Sequence, residues 1–360
     1  MATIRKASFA PGEYIRDELE ARGLTQEAFA HILGRPLKTV NQIITGVKAI
    51  TPQTAQEIAA AFGTTAELWM NLESTYRLES ERSNQDAVAR RAKLYEMAPV
   101  KEMIARNWIA DAKDISDLEG AVHQFFSEPF EAAARKSTAY DSTTPAQRAW
   151  MYQARNLARK IPVDSQYSKA KAQRTLDDLL ALVTSEQEVR HIPNVLSKMG
   201  IRLVIIKGLQ GAGIDGATFW LDKSSPVIAL SLRHDRIDNF WFTLFHELSH
   251  ILHGDAWSID VDIVGPNRVE SADIPEAEKR ANEEASNYLI SKEKVDSFII
   301  RHRPRFSKIK IIQFANLHGI HPGIVVGQLQ HRKAINYSHS REMLPSVRNI
   351  IAPNTLTDGW

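Results

Sequence analysis

Three residues about two-thirds of the way along the chain have the types and spacing of a metal site. Two of them can bind the ion, and the third can act on a water molecule beside it. His246 and His250 are four residues apart, so in a helix both imidazoles lie on one face, one turn apart. Glu247 follows the first histidine and is placed to act as a general base on water. The run His246-Glu247-Leu248-Ser249-His250 therefore predicts a site for Zn²⁺, with Mn²⁺ as an alternative metal.

The residues around this run predict a buried helix over 239–254. Apolar side chains cover nearly every face of that helix, which a surface helix does not show. Asp238 can cap its start and Gly254 can end it. The bare five-residue pattern arises by chance in roughly a few per cent of chains of this composition. A capped, buried helix makes chance a weaker explanation.

A third ligand is needed, because a catalytic zinc usually takes three protein ligands plus water. Residues 275–290 predict a second helix with an apolar stripe at helical spacing. Glu278 lies on or beside that stripe, where a carboxylate needs a partner such as a metal. Asn282 follows one turn later and is a candidate to orient a ligand from outside the ligand shell. Three alternatives to Glu278 stay open: Glu276, Glu283 and Glu284.

The order and spacing of four segments resemble the ImmA/IrrE metallopeptidases. The segments are GIDGATFWLD (Gly213–Asp222), PVIALSLR (Pro226–Arg233), FTLFHELSHILHG (Phe242–Gly254) and EKRANEEASNYLI (Glu278–Ile290). The resemblance implies a zincin-like fold with His246, His250 and Glu278 as metal ligands. It also implies that Glu247 is the base in hydrolysis of a peptide bond. One departure is Glu284, where the family often has Phe.

Residues 10–72 predict five short helices, separated by capping residues and turn glycines. The second and third, Gln26–Leu33 and Pro36–Thr45, have the lengths of a helix-turn-helix, whose second helix enters the major groove of DNA. Seven apolar residues are expected to fill one small core: Leu24, Phe29, Ile32, Leu33, Val40, Ile43 and Ile44.

Six polar residues on or beside the third predicted helix are candidates to contact base edges or phosphates. They are Lys38, Thr39, Asn41 and Gln42 on its outer face, with Arg35 and Lys48 flanking it. The alternative is a plain helical bundle, because capped short helices are common. Residues 1–78 carry eight Lys and Arg against eight Asp and Glu, so charge adds no support for DNA binding.

The same stretch resembles the Xre/Cro-type helix-turn-helix, in the variety found in HigA-type antitoxins. Its marks are an opening Pro-Gly-Glu, the Leu-Thr-Gln-Glu at the start of the second helix, the Ala-Ile-Thr-Pro before the fourth and a closing Trp-Met-Asn-Leu. The resemblance covers residues 8–78. It implies a domain that binds operator DNA, with the chain acting as a homodimer.

Together the two resemblances imply a DNA-binding transcriptional regulator with a zinc-dependent peptidase domain, of the kind used in stress responses. The peptidase would cleave a regulatory protein, either a transcriptional repressor or a toxin–antitoxin partner. A second hypothesis stays open. In it the chain is a HigA-like antitoxin or regulator, and its metal domain senses a signal or binds a partner without proteolysis.

The remaining regions are expected to be mostly helical. Residues 79–187 are predicted to form a helical connecting region, 188–335 the metallopeptidase domain and 336–360 an irregular tail. Three apolar runs predict a small sheet, whose edge can hold an extended peptide: Ile201–Ile206, Ala217–Leu221 and Val227–Leu232. The predicted fold class is mainly α with a small β-sheet, ordered as helix-turn-helix bundle, helical connecting region and α+β zincin-like domain.

Composition narrows the class of protein. The 360 residues are 43% hydrophobic and 24% charged, which is typical of a globular protein. The absence of cysteine excludes disulfides and cysteine-bound zinc and is compatible with a reducing compartment. The chain opens without a charged-then-apolar leader, and no apolar run approaches about 18 residues. We therefore expect a cytoplasmic protein that does not span a membrane.

Overall fold

The computed structural model describes residues 10–80, 82–126, 143–255, 257–261, 263–264 and 275–358. The chain forms two compact units, Met1–Lys93 and Leu94–Trp360. The predicted first residue of the helix-turn-helix domain, residue 8, and the last two residues of the predicted tail lie outside the described part. Within that part, no helix is both long enough and apolar enough to cross a membrane.

The first unit contains the five helices expected from the sequence: α1 (Pro11–Ala21), α2 (Gln26–Ile32), α3 (Leu37–Ile44), α4 (Pro52–Phe62) and α5 (Ala66–Ser80). Side-chain caps set two of the starts. The hydroxyl of Thr25 accepts the N–H of Ala28 at 3.1 Å, and Thr51 accepts the N–H of Thr54 at 3.3 Å. Gly63 ends α4 in the left-handed conformation, with φ of 70°.

Aromatic and branched side chains fill the core of this unit. Phe29 stacks on Phe62 with ring centroids 4.8 Å apart, and Trp69 is 1% exposed beside them. A Cβ at Gly12 would overlap the carbonyl group of Ile44, so the glycine lets α1 approach α3. Ile32 was wrongly assigned to this core. It is 54% exposed, because the seven-residue α2 buries only the face that carries Phe29 and Ala30.

Twelve α-helices follow in the described residues: α6 (Arg82–Met97), α7 (Val100–Ala105), α8 (Ile115–Phe125), α9 (Pro145–Ala158), α10 (Lys169–Ala181), α11 (Ile192–Met199), α12 (Ile237–His253), α13 (Glu276–Leu289), α14 (Lys292–His302), α15 (Lys308–Leu317), α16 (Pro322–His331) and α17 (Arg348–Ile351). The protein is therefore mainly helical, as predicted.

Five strands form one mixed sheet in the second unit: β1 (Arg202–Ile205), β2 (Ile214–Trp220), β3 (Pro226–Leu230), β4 (Trp257–Val261) and β5 (Leu356–Thr357). Their order is β4-β2-β3-β1-β5. Strand β1 runs parallel to β3 and β5, whereas β2 is antiparallel to β3 and β4. The sequence predicted β1, β2 and β3 but neither edge strand.

The helices of the predicted connecting region pack against this sheet. The indole N–H of Trp150 in α9 donates to the carbonyl of Ile206 at 3.2 Å, and Arg106 donates to the carbonyl of Lys207 at 2.6 Å. From Leu94 onward the chain belongs to the second unit. These helices are therefore part of the same compact unit as His246, His250 and Glu278. The predicted domain boundaries stay predictions.

The end of the chain, which the sequence predicts as an irregular tail, packs as part of the second unit. Val347 and Ile351 are fully buried. The carboxylate of Asp358 pairs with Arg106 at 3.3 Å. Apolar residues spaced four apart in this short segment form α17, and the chain then adds β5 to the sheet beside β1.

Helix α12 is the centre of the second unit. Every residue from Ile237 to Leu252 is buried. Gly254 ends the helix with φ of 72°, as expected. The predicted cap is wrong: the residue before the helix is Arg236, and the Asp238 carboxylate accepts hydrogen bonds from its guanidinium at 3.0 and 2.6 Å.

Candidate functional site

The Nε2 atoms of the two histidines of α12, His246 and His250, lie close together. Their Nε2 atoms are 3.1 Å apart, and their side chains are 0% and 1% exposed for His246 and His250. The four-residue spacing produces this arrangement, because α12 is regular and its histidine-bearing face is covered by α13 and the sheet.

Helix α13 brings Glu278 to the two histidines. Its Oε2 lies 3.1 Å from Nε2 of His246, and its Oε1 lies 3.5 Å from Nε2 of His250. Of the alternatives left open by the sequence, Glu276 and Glu283 are exposed. Glu284 contacts another part of α12. The structure thus brings together the three residues that the sequence singled out as ligands.

A fourth group, Asp260 on β4, was missed. Its Oδ2 lies 3.3 Å from Nε2 of His246, and the side chain is buried at 3% exposure. One donor atom from each of His246, His250, Asp260 and Glu278 lies within 4.8 Å of the others. Alternation of polar and apolar residues from Ser258 to Val261 was the signal that could have revealed the strand.

The histidines and carboxylates of the cluster shift each other's pKa values. Burial alone lowers the pKa of His246, but Asp260 and Glu278 outweigh burial and raise it to about 9. Burial raises the pKa of Glu278, but hydrogen bonds with the two histidines bring it well below its usual range. Protons on the imidazoles thus balance the carboxylates. A divalent cation can replace those protons, since metals bind neutral imidazole and ionised carboxylate.

Glu247 follows His246 in α12 and is fully buried. Its Oε2 accepts a hydrogen bond from the Thr218 hydroxyl at 2.8 Å. Gly216 makes room for it, because a Cβ there would overlap Oε1 of Glu247. Burial raises the pKa of the Glu247 carboxyl well above its usual range, and the charge of Asp260 adds to the rise. Oε1 has no hydrogen-bond partner among the described residues.

A second layer of contacts orients His250. Its Nδ1 lies 2.9 Å from Oδ2 of Asp255, and the Arg280 guanidinium donates to the same oxygen at 2.6 Å. An Nδ1–H donated to Asp255 leaves Nε2 free to bind a metal, and such partners raise ligand basicity. Asn282 is half-buried one turn after Glu278 and lines a cleft with α14 and α16. Its predicted role stays a prediction.

Glu284 joins α13 to α12 beside the cluster. Its Oε2 accepts the Ser249 hydroxyl at 2.7 Å, and its Oε1 lies 2.8 Å from Nε2 of His253. The three residues form one polar contact between the helices. A phenylalanine at this position would leave the buried Ser249 hydroxyl without this acceptor, so the contact favours glutamate here.

The four-residue cluster suits Zn²⁺. A tetrahedral site with bonds of about 2.0–2.1 Å has donor atoms roughly 3.3–3.4 Å apart. The separations from His246 Nε2 are 3.1 Å to His250, 3.1 Å to Glu278 and 3.3 Å to Asp260. The other pairs are wider: His250 Nε2 lies 3.5 Å from Oε1 of Glu278, and the four donor atoms lie within 4.8 Å of one another. Two imidazole nitrogens and carboxylate oxygens are a donor set that zinc accepts. The buried Oδ2 of Asp260 has no hydrogen-bond partner among the described residues, as expected of a ligand atom.

The candidate DNA-contacting residues differ in their exposure. Lys38, Asn41 and Lys48 are exposed, while Thr39 and Gln42 are half-buried. These five stay candidates.

Arg35 is engaged inside the unit. Its Nε donates to Oε2 of Glu57 at 2.6 Å, and this contact lowers the pKa of Glu57. The pair ties the turn before α3 to α4, so a phosphate contact would have to compete with Glu57. The predicted role of Arg35 in DNA binding stays a prediction.

Residues 15–69, which include α2 and α3, match the model of the helix-turn-helix family. The first unit therefore places this protein in the class of helix-turn-helix proteins. Antitoxin HigA-1 of Vibrio cholerae is 31% identical over 91 residues, which are 25% of this chain and 86% of that protein. Virulence-associated protein I of Dichelobacter nodosus is 30% identical over 79 residues, covering 22% and 73%. The chain belongs to the helix-turn-helix family of HigA-like proteins.

Among solved structures, the antitoxin HigA of Pseudomonas aeruginosa with the higBA promoter is 32% identical to this chain. The match has a TM-score of 0.22 and covers 22% of this chain and 90% of that one. The matches described for curated relatives and solved structures reach at most a quarter of this chain.

Proposed function

We propose that this protein is a DNA-binding transcriptional regulator with a zinc-dependent peptidase of the ImmA/IrrE type in its second unit. The position of Glu247 carries the peptidase half of the proposal. A site that only stabilises the fold needs ligands, but it has no use for a further carboxylate held in a buried recess beside them. Thr218 and Gly216 together create that recess.

The chemistry follows from the residues around the cluster. A bound Zn²⁺ supplies Lewis acidity, which activates water and polarises a peptide carbonyl. Glu247, whose carboxyl the charge of a nearby divalent cation would keep ionised despite its burial, accepts a proton from the attacking water as the C–O bond forms. It then returns the proton to the nitrogen that leaves as the C–N bond breaks. Asp255 keeps His250 in the tautomer that presents Nε2 to the metal.

Detection of metal-dependent cleavage tests the peptidase role. The zinc-loaded protein is incubated with casein and with a proteome-derived peptide library, and fragments are identified by mass spectrometry. We expect slow cleavage that stops when a chelator removes the metal and returns when zinc is restored. A zinc-loaded protein that produces no metal-dependent fragment from either material contradicts the proposal. The proposed natural substrate is a repressor-like protein or a toxin–antitoxin partner.

The DNA-binding half rests on the family to which the chain belongs and on the exposed polar residues of α3. The HigA antitoxin of Pseudomonas aeruginosa has been solved with its promoter, and we propose that this chain likewise binds operator DNA as a homodimer. Residues 1–78 carry no net positive charge. We therefore expect base contacts from α3 to contribute more here than in a strongly basic DNA-binding domain.

Asn41→Ala is expected to weaken binding to a duplex taken from directly upstream of the protein's own gene by about tenfold, since a base contact contributes about 1–3 kcal/mol. The measurement is fluorescence anisotropy at fixed salt concentration. Gln56→Ala, an exposed change on α4, is the matched control and should bind as the wild type does. Equal affinity of the Asn41 variant and the wild type would show that α3 does not read this DNA.

One observation favours a second function. Asp260 offers a fourth protein donor, and zinc sites closed by four protein ligands are usually structural. In this alternative the chain is a HigA-like regulator whose metal-binding unit senses a signal or binds a partner protein without cleaving it. Metal binding without any metal-dependent proteolysis would support this alternative over the peptidase.

A further inference from the structure

Asp260 reaches the cluster from a different direction than the other three donors. His246 and His250 come from α12 and Glu278 from α13. Asp260 comes from β4, one of the two edge strands of the described sheet. Its Oδ2 lies 3.3 Å from Nε2 of His246. This distance is close to the separation of about 3.3–3.4 Å between neighbouring corners of a tetrahedral zinc site.

Contacts around Asp260 show that its position is built into the fold. The Ser258 hydroxyl lies 3.2 Å from Oδ1 of Asp260 and 3.2 Å from Oε1 of Glu278, so it links the two carboxylates. After the strand, Oδ2 of Asp215 accepts the N–H of Ile263 at 2.8 Å and holds the chain against β2. These contacts leave Oδ2 of Asp260 buried in the cluster, 3.3 Å from Nε2 of His246.

The sheet also places Asp260 next to the general base. Asp260 pairs in register with Gly216 on β2, and Gly216 is the residue that makes room for the Glu247 carboxylate. The Asp260 side chain therefore leaves the sheet beside the recess that holds Glu247. A water molecule that gives its proton to Glu247 would have to stand on this side of the cluster.

We propose that Asp260 is the fourth protein ligand of the resting metal site and excludes the water that Glu247 would activate. The inference rests on the proposed function, because it presupposes the metal site. The resting protein is then a latent peptidase, and hydrolysis requires Asp260 to leave the metal. Strand β4 is suited to such a movement, because in the described sheet it pairs only with β2 and its register shifts beside Asp215.

Co²⁺ can test the proposal because its visible absorption bands change with the number and type of its ligands. Zn²⁺ has a filled d shell and shows no such bands. The Co²⁺-loaded wild type and Asp260→Asn are titrated with acetohydroxamate, which needs open coordination positions. We expect the bands to shift in the variant and to stay unchanged in the wild type. Casein cleavage by the zinc-loaded variant should rise by about tenfold or more, a barrier change of about 1.4 kcal/mol.

Two controls separate ligand loss from general damage. Asp255→Ala removes the partner of His250 and should weaken metal affinity by about 10–100-fold, yet give no response to acetohydroxamate. Val261→Ala changes an exposed residue on the same strand and should behave as the wild type does. If Asp260→Asn does not fold, a crystal structure of the zinc-loaded wild type decides. An Asp260 oxygen about 2.0–2.2 Å from zinc supports the proposal, and a water molecule in its place overturns it.

The outcomes distinguish this inference from the function on which it rests. A wild type that responds to acetohydroxamate as the variant does, or a cobalt-loaded variant that gives no response, overturns the role of Asp260. A wild type that takes up no cobalt overturns the metal site itself, and with it the proposed function and the inference together.

Discussion

Replacing Glu247 by glutamine is expected to lower the rate of casein cleavage by about 10²–10⁴-fold, in the wild type and in the Asp260→Asn background. Glutamine keeps the size of the side chain and can still accept the Thr218 hydrogen bond, but it cannot take a proton from water. Metal content should not change, because Glu247 is not one of the four clustered donors.

The rate is measured with fluorescently labelled casein on zinc-loaded proteins of equal metal content. Glu283→Gln on the exposed face of α13 makes the same chemical change away from the site and should leave the rate unaffected. Cleavage by Glu247→Gln at the wild-type rate would show that another group activates the water, or that the observed cleavage comes from a contaminant.

Gly216→Ala is expected to reduce cleavage by about 100-fold or more, since a displacement of about 1 Å in a catalytic group costs that much. The new methyl group would overlap Oε1 of Glu247 and lie 2.8 Å from Cγ2 of Thr243. The recess is closed by α12 and β2, so the carboxylate must move away from the Thr218 hydroxyl. The ligands are not touched, and metal content should stay at the wild-type value.

Gly208→Ala is the matched control, because a Cβ there meets only Cβ of Ser231, at 4.0 Å. Overpacking at Gly216 also costs about 1–3 kcal/mol of stability, which thermal unfolding will report. Thr218→Val gives the same test without overpacking, since it removes the hydrogen bond to Glu247 and keeps the side-chain shape. Full activity in both Gly216→Ala and Thr218→Val would mean that the position of Glu247 does not limit the rate.

The parts of the site that could be predicted are those that one helix places by itself. His246, Glu247 and His250 follow from helical periodicity alone, since a regular helix puts residues four apart on one face. Glu278 required a second helix, but its carboxylate beside small apolar residues already indicated a partner. The structure brings its Oε2 within 3.1 Å of His246.

The position of Asp260 in the cluster could not be predicted, because the rule for alternating strands places its side chain in solvent. In an edge strand of alternating residues, the polar side is normally assigned to solvent and the apolar side to the core. Here Asp260 is 3% exposed and Val261 is 39% exposed. The cluster occupies the face that an apolar core would otherwise fill, and only the three-dimensional arrangement shows this inversion.

Contacts between residues distant in sequence also limited the prediction of the first unit. The helix bounds were predicted well, because caps and turn glycines are local signals. The engagement of Arg35 with Glu57 depends on how α4 packs, and no local pattern indicates it. The exposure of Ile32 likewise depends on which face of the short α2 meets its neighbours.

The central claim is that the second unit holds one metal ion on residues from α12 and α13. Elemental analysis of metal per chain, on purified wild type and on Glu278→Ala after zinc loading and removal of free metal, tests it most directly. We predict about one zinc ion per wild-type chain and substantially less in the variant, because the variant keeps only three of the four clustered donors. A wild type that retains no metal after loading, or a variant that retains as much as the wild type, would contradict the account.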